Sequence, residues 1–277
     1  MTKGVLIFAQ NNIEVDYAKI SLFAAERIKE YLNVPVTLVT DSREWLLKSQ
    51  PSAEKIFDNF LDVYSDTEQT KKFYDGALSS KVLTWKNLNR SDCYELSPYD
   101  ETLVIDSDYI ISSNNLSKIW NNSQDFLIYK DSFDIAQWRN TCSFKQLNQY
   151  SIPFYWATAF YFKKSKENQS FFDIVKHIKK NWSYYKALYT IDSSVFRNDF
   201  AFSIAIHMMG GENFATSLPG KMNYILDRDI LIDINKEQLK FLVEKNSYVG
   251  EYIAAKTTGL DVHVMNKYSL TRCIECQ

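Results

Sequence analysis

Two short runs, Val5-Leu6-Ile7-Phe8-Ala9 and Val36-Thr37-Leu38-Val39-Thr40, flank a segment of helical periodicity over residues 16–32. Both runs are almost wholly apolar, so each strand must be covered on both faces. That is the pattern of a parallel sheet with helices on either side. Within 16–32, Ile20, Phe23, Ala24, Ile28 and Tyr31 or Leu32 share one face. Asp16 stands where an N-cap belongs, and Pro35 punctuates before the second strand. Strand, helix and strand make one βαβ unit, whose crossover is nearly always right-handed.

The rest of the chain continues the alternation. Residues 42–75 read as mixed, with short strands near 56–60 and 61–64. Residues 79–88 are expected to be helical. A strand follows at 102–106, then a short helix capped by Asn115 and running to Trp120. Further strands are expected at 125–129 and 156–162. Residues 167–188 read as one long helix with Phe171, Ile174, Val175, Ile178 and Trp182 on one side. The apolar helix at 196–209 ends at Gly210-Gly211, a C-cap signal. The tail reads as short strands. No repeat, low-complexity stretch or linker interrupts the pattern. It predicts a single α/β domain over residues 1–277, with a Rossmann-like, mostly parallel central sheet flanked by helices. Ligands of such sheets bind beyond the carboxyl ends of strands, at a switch point.

Composition narrows the function classes. The 277 residues are 45% hydrophobic and carry a formal net charge of −2, so no global basic field draws the chain to nucleic acid or anionic membrane. No apolar window approaches the length of a membrane span. The apolar run after Met1 is too short for a secretory leader. Cys93, Cys142, Cys273 and Cys276 include a CxxC, but no second pair completes a zinc site. Reduced thiols and a cytoplasmic location are the expectation.

The chemistry concentrates in Thr102-Leu103-Val104-Ile105-Asp106-Ser107-Asp108-Tyr109-Ile110-Ile111. An apolar strand runs into two carboxylates one residue apart, which share a face as the strand ends. Carboxylates that close repel unless something positive lies between them. A hard divalent cation, Mg²⁺ or Mn²⁺, suits them, and it completes its shell with substrate phosphates. Three other classes bear on this pattern. Aspartyl-nucleophile phosphatases also place Asp-x-Asp after a strand, but near the N-terminus and with Thr or Val where Ile110 stands. Sugar nucleotidylyltransferases carry a Gly-rich, Arg-containing loop after the first strand, where this chain has Gln10-Asn11-Asn12-Ile13. A non-catalytic binding module would be expected to have lost the acids.

In order along nearly the whole chain, these landmarks resemble nucleotide-sugar-dependent glycosyltransferases of the GT-A fold, closest in pattern to family 8. Ala9-Gln10-Asn11-Asn12 with Tyr17 resembles the loop that holds the nucleoside, the Tyr stacking on the base. Ser79-Ser80-Lys81-Val82-Leu83 is similar to the helix whose basic residue contacts the donor, a role that falls to Lys81. The Asp106-Ser107-Asp108 segment matches the metal motif, and Asn115-Leu116-Ser117-Lys118-Ile119-Trp120 looks like the segment that follows it. Tyr155-Trp156-Ala157-Thr158-Ala159 resembles the acceptor-facing strand, with Ala157-Thr158-Ala159 where the family often has Asn-Ser-Gly. Arg197-Asn198-Asp199 resembles the site of the acid beside the reacting carbon. Asp261-Val262-His263-Val264-Met265-Asn266-Lys267 resembles the C-terminal metal-and-phosphate motif, without its Pro-Trp.

The resemblance implies Asp106, Asp108 and His263 as ligands of Mn²⁺ or Mg²⁺, on a nucleotide-diphosphate sugar as donor. Gln10, Asn11, Asn12 and Tyr17 would orient the nucleotide, with Asp41 on the base or ribose. Ser107, Lys81 and Lys267 would face the diphosphate, and Asp199 would act near the anomeric carbon. It implies a donor half over about 1–115 and an acceptor half over about 116–277. The acceptor is a glycan or, if the chain is viral and works in host cytoplasm, a modified base in DNA. For DNA, Lys176, Lys179, Lys180, Trp182, Tyr184, Tyr185 and Lys186 form the candidate basic stripe.

Overall fold

The computed structural model describes all of the chain except residues 65–68, 87–88, 138, 140–143, 149–150, 194, 246–248 and 277. In chain order, β1 (Lys3–Ala9), α1 (Tyr17–Leu32) and β2 (Val36–Thr40) form the expected βαβ unit. Asp16 caps α1 by accepting from the Lys19 N–H. Two short helices, α2 (Arg43–Ser49) and α3 (Ala53–Ile56), lead to β3 (Asn59–Asp62). β4 (Gln69–Tyr74) and β5 (Ser80–Trp85) follow, then α4 (Cys93–Leu96), β6 (Glu101–Asp106) and the two-residue β7 (Tyr109–Ile110). Next come β8 (Phe126–Tyr129), β9 (Ser132–Asp134) and β10 (Trp156–Lys163). Helices α5 (Lys166–Lys180), α6 (Trp182–Leu188) and α7 (Asn198–Met208) precede β11 (Met222–Ile225), β12 (Ile230–Asn235), β13 (Gln238–Glu244) and β14 (Tyr252–Thr258). β15 (Val262–Val264) and α8 (Lys267–Glu275) close the chain.

The central sheet has six strands in the order β3-β2-β1-β6-β10-β8. Strands β3, β2, β1 and β6 are mutually parallel, and β10 runs antiparallel to β6 and β8. The apolar runs are explained by what covers them. Val5, Ile7, Leu38, Leu103 and Ile105 meet α1 through Leu22, Ala25 and Ile28 on one face. Leu6, Phe8, Val39 and Val104 meet Phe171, Phe172 and Val175 of α5 and Phe202 of α7 on the other. Neighbouring residues of one strand thus belong to two different cores.

Three expectations are corrected. Residues 80–85 are a strand, not a helix: β5 pairs antiparallel with β4 in a hairpin, Lys71 opposite Leu83 and Gln69 opposite Trp85. Leu88, the end of the expected helix, lies outside the described residues. The single helix over 167–188 is two, α5 and α6, broken at Asn181, whose side chain turns back to the His177 carbonyl at 2.9 Å. The helix at Asn115 is a 3₁₀ turn over Asn115–Asn121. The tail does contain short strands: β12, β13 and β14 form an antiparallel sheet, and β11 and β15 join β7 and β9 from the middle of the chain in a mixed sheet, β7-β15-β11-β9. It then ends in α8, which the sequence reading missed.

Candidate active site

The mixed sheet β7-β15-β11-β9 assembles the site. β6 carries Asp106 to the carboxyl end of the central sheet, opposite Phe8 of β1. The chain turns at Ser107 and Asp108 and enters β7. β7 pairs with β15, setting His263 against Tyr109. The Val264 N–H then donates to the Asp108 carbonyl at 2.9 Å. His263 Nε2 thereby comes 3.3 Å from Asp108 Oδ2, across 155 residues of chain. One carboxylate oxygen from each of Asp106 and Asp108 and one ring nitrogen of His263 lie within 4.8 Å of one another.

Buried carboxylates need compensation, and each has it. Arg90, fully buried in the 3₁₀ turn Asn89–Asp92, pairs with Asp106 and donates to the Ala157 carbonyl. Burial lowers its guanidinium to about 10. Lys267, first residue of α8, pairs with Asp108 and donates to the Val264 and Met265 carbonyls at 3.2 and 3.0 Å. Burial pushes the Asp108 carboxyl up, but Lys267 and His263 outweigh it and hold the group far below the usual carboxylate range. Burial lowers His263, against the pull of Asp108, and so favours the neutral imidazole. His263 Nδ1 is buried with no hydrogen-bond partner among the described residues. Two carboxylates and a neutral imidazole converging on one point are a donor set that fits a divalent cation of the Mn²⁺ or Mg²⁺ kind.

These groups line one side of a cleft of about 410 Å³ at the carboxyl ends of β1 and β6. Gln10 and Tyr17 line it, as do Trp85 and Lys71 from the hairpin, Asp227 and Met265 from the strand ends, and Arg197 and Asp199 at the start of α7. The Gln10 amide nitrogen is buried without a partner among the described residues. Asp199 accepts the Ala157 N–H at 2.9 Å on one oxygen and takes Arg197 at 2.6 and 3.0 Å on the other. Burial raises Asp227, with Lys71 and Lys267 pulling the other way.

Of the residues singled out in the sequence, Gln10, Tyr17, Asp106, Ser107, Asp108, Asp199, His263 and Lys267 meet in this cleft. Asn11, Asn12, Asp41 and Lys81 do not line it. Asn11 accepts the Ala18 N–H at 2.9 Å and donates to Asp16 at 2.8 Å. Asn12 accepts from Glu14 and Val15 and donates to the Thr84 carbonyl at 3.1 Å. Both side chains shape the β1–α1 loop. Asp41 sits behind the wall, bound to the Asn11 N–H at 3.3 Å and to Lys86 at 3.1 Å. Lys81 is exposed on β5, where it pairs with Glu14 at 2.7 Å. The sequence reading missed Lys71, Trp85, Lys86, Arg90 and Asp227, and gave Arg197 no role beyond its place in the run before Asp199. A hairpin signal was present: Asp75-Gly76 between two stretches rich in Thr, Val, Phe, Tyr and Trp, with Gly76 at φ +72°. Arg90 had no signal, because only the folded chain shows which carboxylate it faces.

No protein-family model matches the chain, and no curated protein does. Among solved structures, an active-site mutant of LgtC is similar at TM-score 0.50 and 11% identity, over 78% of this chain and 72% of that one. The galactosyltransferase LgtC in complex with donor and acceptor sugar analogues gives TM-score 0.49 at 11% identity, over 78% and 73%. The glycosyltransferase GlyE of Streptococcus pneumoniae TIGR4 gives 0.47 at 11%, over 79% of this chain and 45% of GlyE, so the chain spans less than half of that protein. At these identities the likeness is one of fold. The chain has the GT-A-type α/β fold, a mostly parallel central sheet flanked by helices. No described helix is long and apolar enough to cross a membrane.

Proposed function

We propose that the protein is a metal-dependent glycosyltransferase that moves a sugar from a nucleoside-diphosphate donor to an acceptor hydroxyl. The observation that carries this reading is the convergence of Asp106, Asp108 and His263 at the carboxyl end of a parallel strand in a GT-A-type fold. Asp106, Asp108 and His263 would hold Mn²⁺ or Mg²⁺. Bound there, the cation supplies Lewis-acid neutralisation of charge on the donor diphosphate. Lys267, on the same side of the cleft, adds fixed positive charge. Tyr17 offers a ring, and Gln10 an unpaired amide, to the nucleoside; Asn11, Asn12 and Asp41 hold the loop that presents them. Ser107 lies in the turn between the two acids. Lys81, bound to Glu14 away from the cleft, is not assigned to the donor.

Asp199 is the acid for the reacting carbon. Its two hydrogen-bond anchors fix its carboxylate in the cleft wall, where it would orient the acceptor or steady the developing cation of the sugar. The family-8 pattern favours retention of configuration. We read the chain as one domain, residues 1–115 binding the donor and 116–277 the acceptor, with His263 returning to the donor side. A glycan is the favoured acceptor. In the alternative stripe for a modified DNA base, Lys176 is already paired with Glu95 at 2.5 Å.

A panel of nucleotide sugars, each with Mn²⁺, tests the reading by thermal shift and slow donor hydrolysis. A donor that stabilises the wild type, with the effect abolished by EDTA and by Asp108→Ala, is the expected result. Release of inorganic phosphate from simple phosphoesters without donor binding would refute it in favour of a phosphohydrolase.

A further inference from the structure

Five cationic side chains line the cleft, and four of them are matched. Lys86 pairs with Asp41, Arg90 with Asp106, Arg197 with Asp199 and Lys267 with Asp108. Lys71 is the exception: it makes no ion pair with any described residue. Its ammonium packs over the rings of Phe73 and Trp85, 5.9 and 5.5 Å from their centroids. Aromatic faces orient an ammonium but do not neutralise it. Lys267 and Arg197 repel it, while Asp227 and Asp108 act on it only through space. Lost hydration against the cleft wall comes first, and those two cations second, in lowering its pKa to about 8, while the side chain still reaches solvent.

The hairpin fixes where this charge stands. Gln69 and Lys71 alternate onto the same face of β4. The Gln69 side-chain Oε1 accepts the Phe196 N–H at 2.7 Å, so the strand is moored one residue before Arg197. At the other arm, the Thr84 carbonyl takes the Asn12 amide at 3.1 Å, beside the β1–α1 loop. Lys71 is therefore held by a scaffold tied to both ends of the cleft, on the hairpin wall, with Lys267 and Asp108 among the charges that act on it. A cation that the fold positions but does not pair is a place for a ligand anion.

We propose that Lys71 is a diphosphate-binding residue: its ammonium takes an oxygen of the donor's diphosphate from the hairpin side of the cleft. This rests on the glycosyltransferase reading and adds a residue from β4, in a stretch the sequence pattern left as mixed, across the hairpin from the segment expected to be a helix bearing Lys81. It also makes a distinction. Tyr17 and Gln10 would read the nucleoside, whereas Lys71 would respond to phosphate alone.

The experiment is calorimetric titration of the full chain, with Mn²⁺, against a panel of nucleoside diphosphates and the matching nucleosides. Wild type, Lys71→Gln and Lys71→Arg are compared. Lys71→Gln is expected to weaken diphosphate binding roughly 10- to 100-fold, as for loss of a charge-assisted hydrogen bond, and to leave nucleoside binding unchanged. Lys71→Arg is expected to recover most of the loss. Lys71 has no ion pair to break, so both variants should melt with wild type, and melting curves check this. Equal diphosphate affinity in wild type and Lys71→Gln would overturn the assignment and leave the glycosyltransferase reading standing. A wild type that binds no nucleoside diphosphate at all would overturn both.

Discussion

Asp108→Asn separates what the buried carboxylate does for stability from what it does for binding. Asp108 is 5% exposed, between the Lys267 ammonium and His263 Nε2. Asparagine keeps the shape and removes the charge, which leaves Lys267 buried beside two carbonyl oxygens. Orphaning one partner of a buried pair costs about 3–5 kcal/mol. The carbonyl acceptors place this case near 3 kcal/mol, roughly 6–10 °C in Tm for a chain of this size. The sign with pH follows from the depressed carboxyl. The unfolded state takes up the proton first, near pH 4, so the contribution is complete above that pH and is lost as pH falls below it. Thermal denaturation of EDTA-treated protein should show a gap between wild type and variant that is wide at pH 7 and narrows below pH 4. Asp108→Asn with Lys267→Met should recover stability, because the orphaned cation is gone, but not the Mn²⁺-dependent shift. A single variant as stable as wild type at pH 7, or a double variant that recovers nothing, would refute the ion-pair argument.

Other perturbations probe other parts of the structure. Asp199→Asn should lower sugar transfer roughly 10²–10⁴-fold and leave nucleoside-diphosphate affinity within about twofold; unimpaired turnover would remove Asp199 from the chemistry. Asp261 is a buried carboxyl raised to about 6, by burial first, against hydrogen bonds from Ser112 and Ser113. The folded state then binds its proton more tightly, so stability should rise as pH falls from about 6 to about 4. Asp261→Asn keeps an oxygen for both donors and should stabilise the protein at pH 8 by up to about 2–3 kcal/mol. That gain should fade by pH 4, as urea unfolding at the two pH values would show. Gly4→Ala should destabilise by about 1–3 kcal/mol, because a Cβ there would stand 2.4 Å from the Tyr99 ring. Tyr99 cannot swing away freely, since its hydroxyl is bonded to Thr37 at 2.7 Å. Equal melting of Gly4→Ala and wild type would contradict this.

The parts of the molecule that were legible in the sequence are those where one local pattern has one physical outcome. A strand buried on two faces has to be apolar at consecutive positions, so β1, β2 and β6 announced a covered parallel sheet. Asp106 and Asp108 stood out because a fold seldom sets two acids at the end of such a strand. The hairpin was lost because its inner face is not uniformly apolar: half-buried Gln69 and Trp85 and exposed Lys71 share it with a small buried patch of Phe73 and Leu83. Local pattern rewards burial, and this element is half buried because one end of it lines a cleft. The charge beside Asp106 was hidden for a different reason. Arg90 is selected by distance in space, through a 3₁₀ turn, and nothing local marks it as a partner of that acid; Lys267 was legible as a site residue, but its pairing with Asp108 depends on β7 meeting β15.

Long-range closure sets how firmly the site is built. β7 has only two residues and β15 three, too few to order themselves. Their register is held from the far side, where β15 pairs with β11, Tyr224 against His263. β11 in turn lies on β9. Below β11, Arg139 bridges Asp134 and Asp229 at 2.7 and 2.6 Å. The Asp229 backbone carbonyl takes the amide of Asn266, the residue that caps α8 and so places Lys267. The acids stand at the end of β6 in the central sheet, whereas His263 comes from the short β15 and Lys267 from the start of α8, both tied through β11 and Asp229 to the Arg139 ion pairs. Arg139→Met should therefore loosen His263 and Lys267 before it unfolds the central sheet. Hydrogen exchange resolves the two: protection lost first in β15 and the start of α8, with β1 and β6 unchanged, is expected, and uniform loss across all four would mean that the sheet and the site are one cooperative unit.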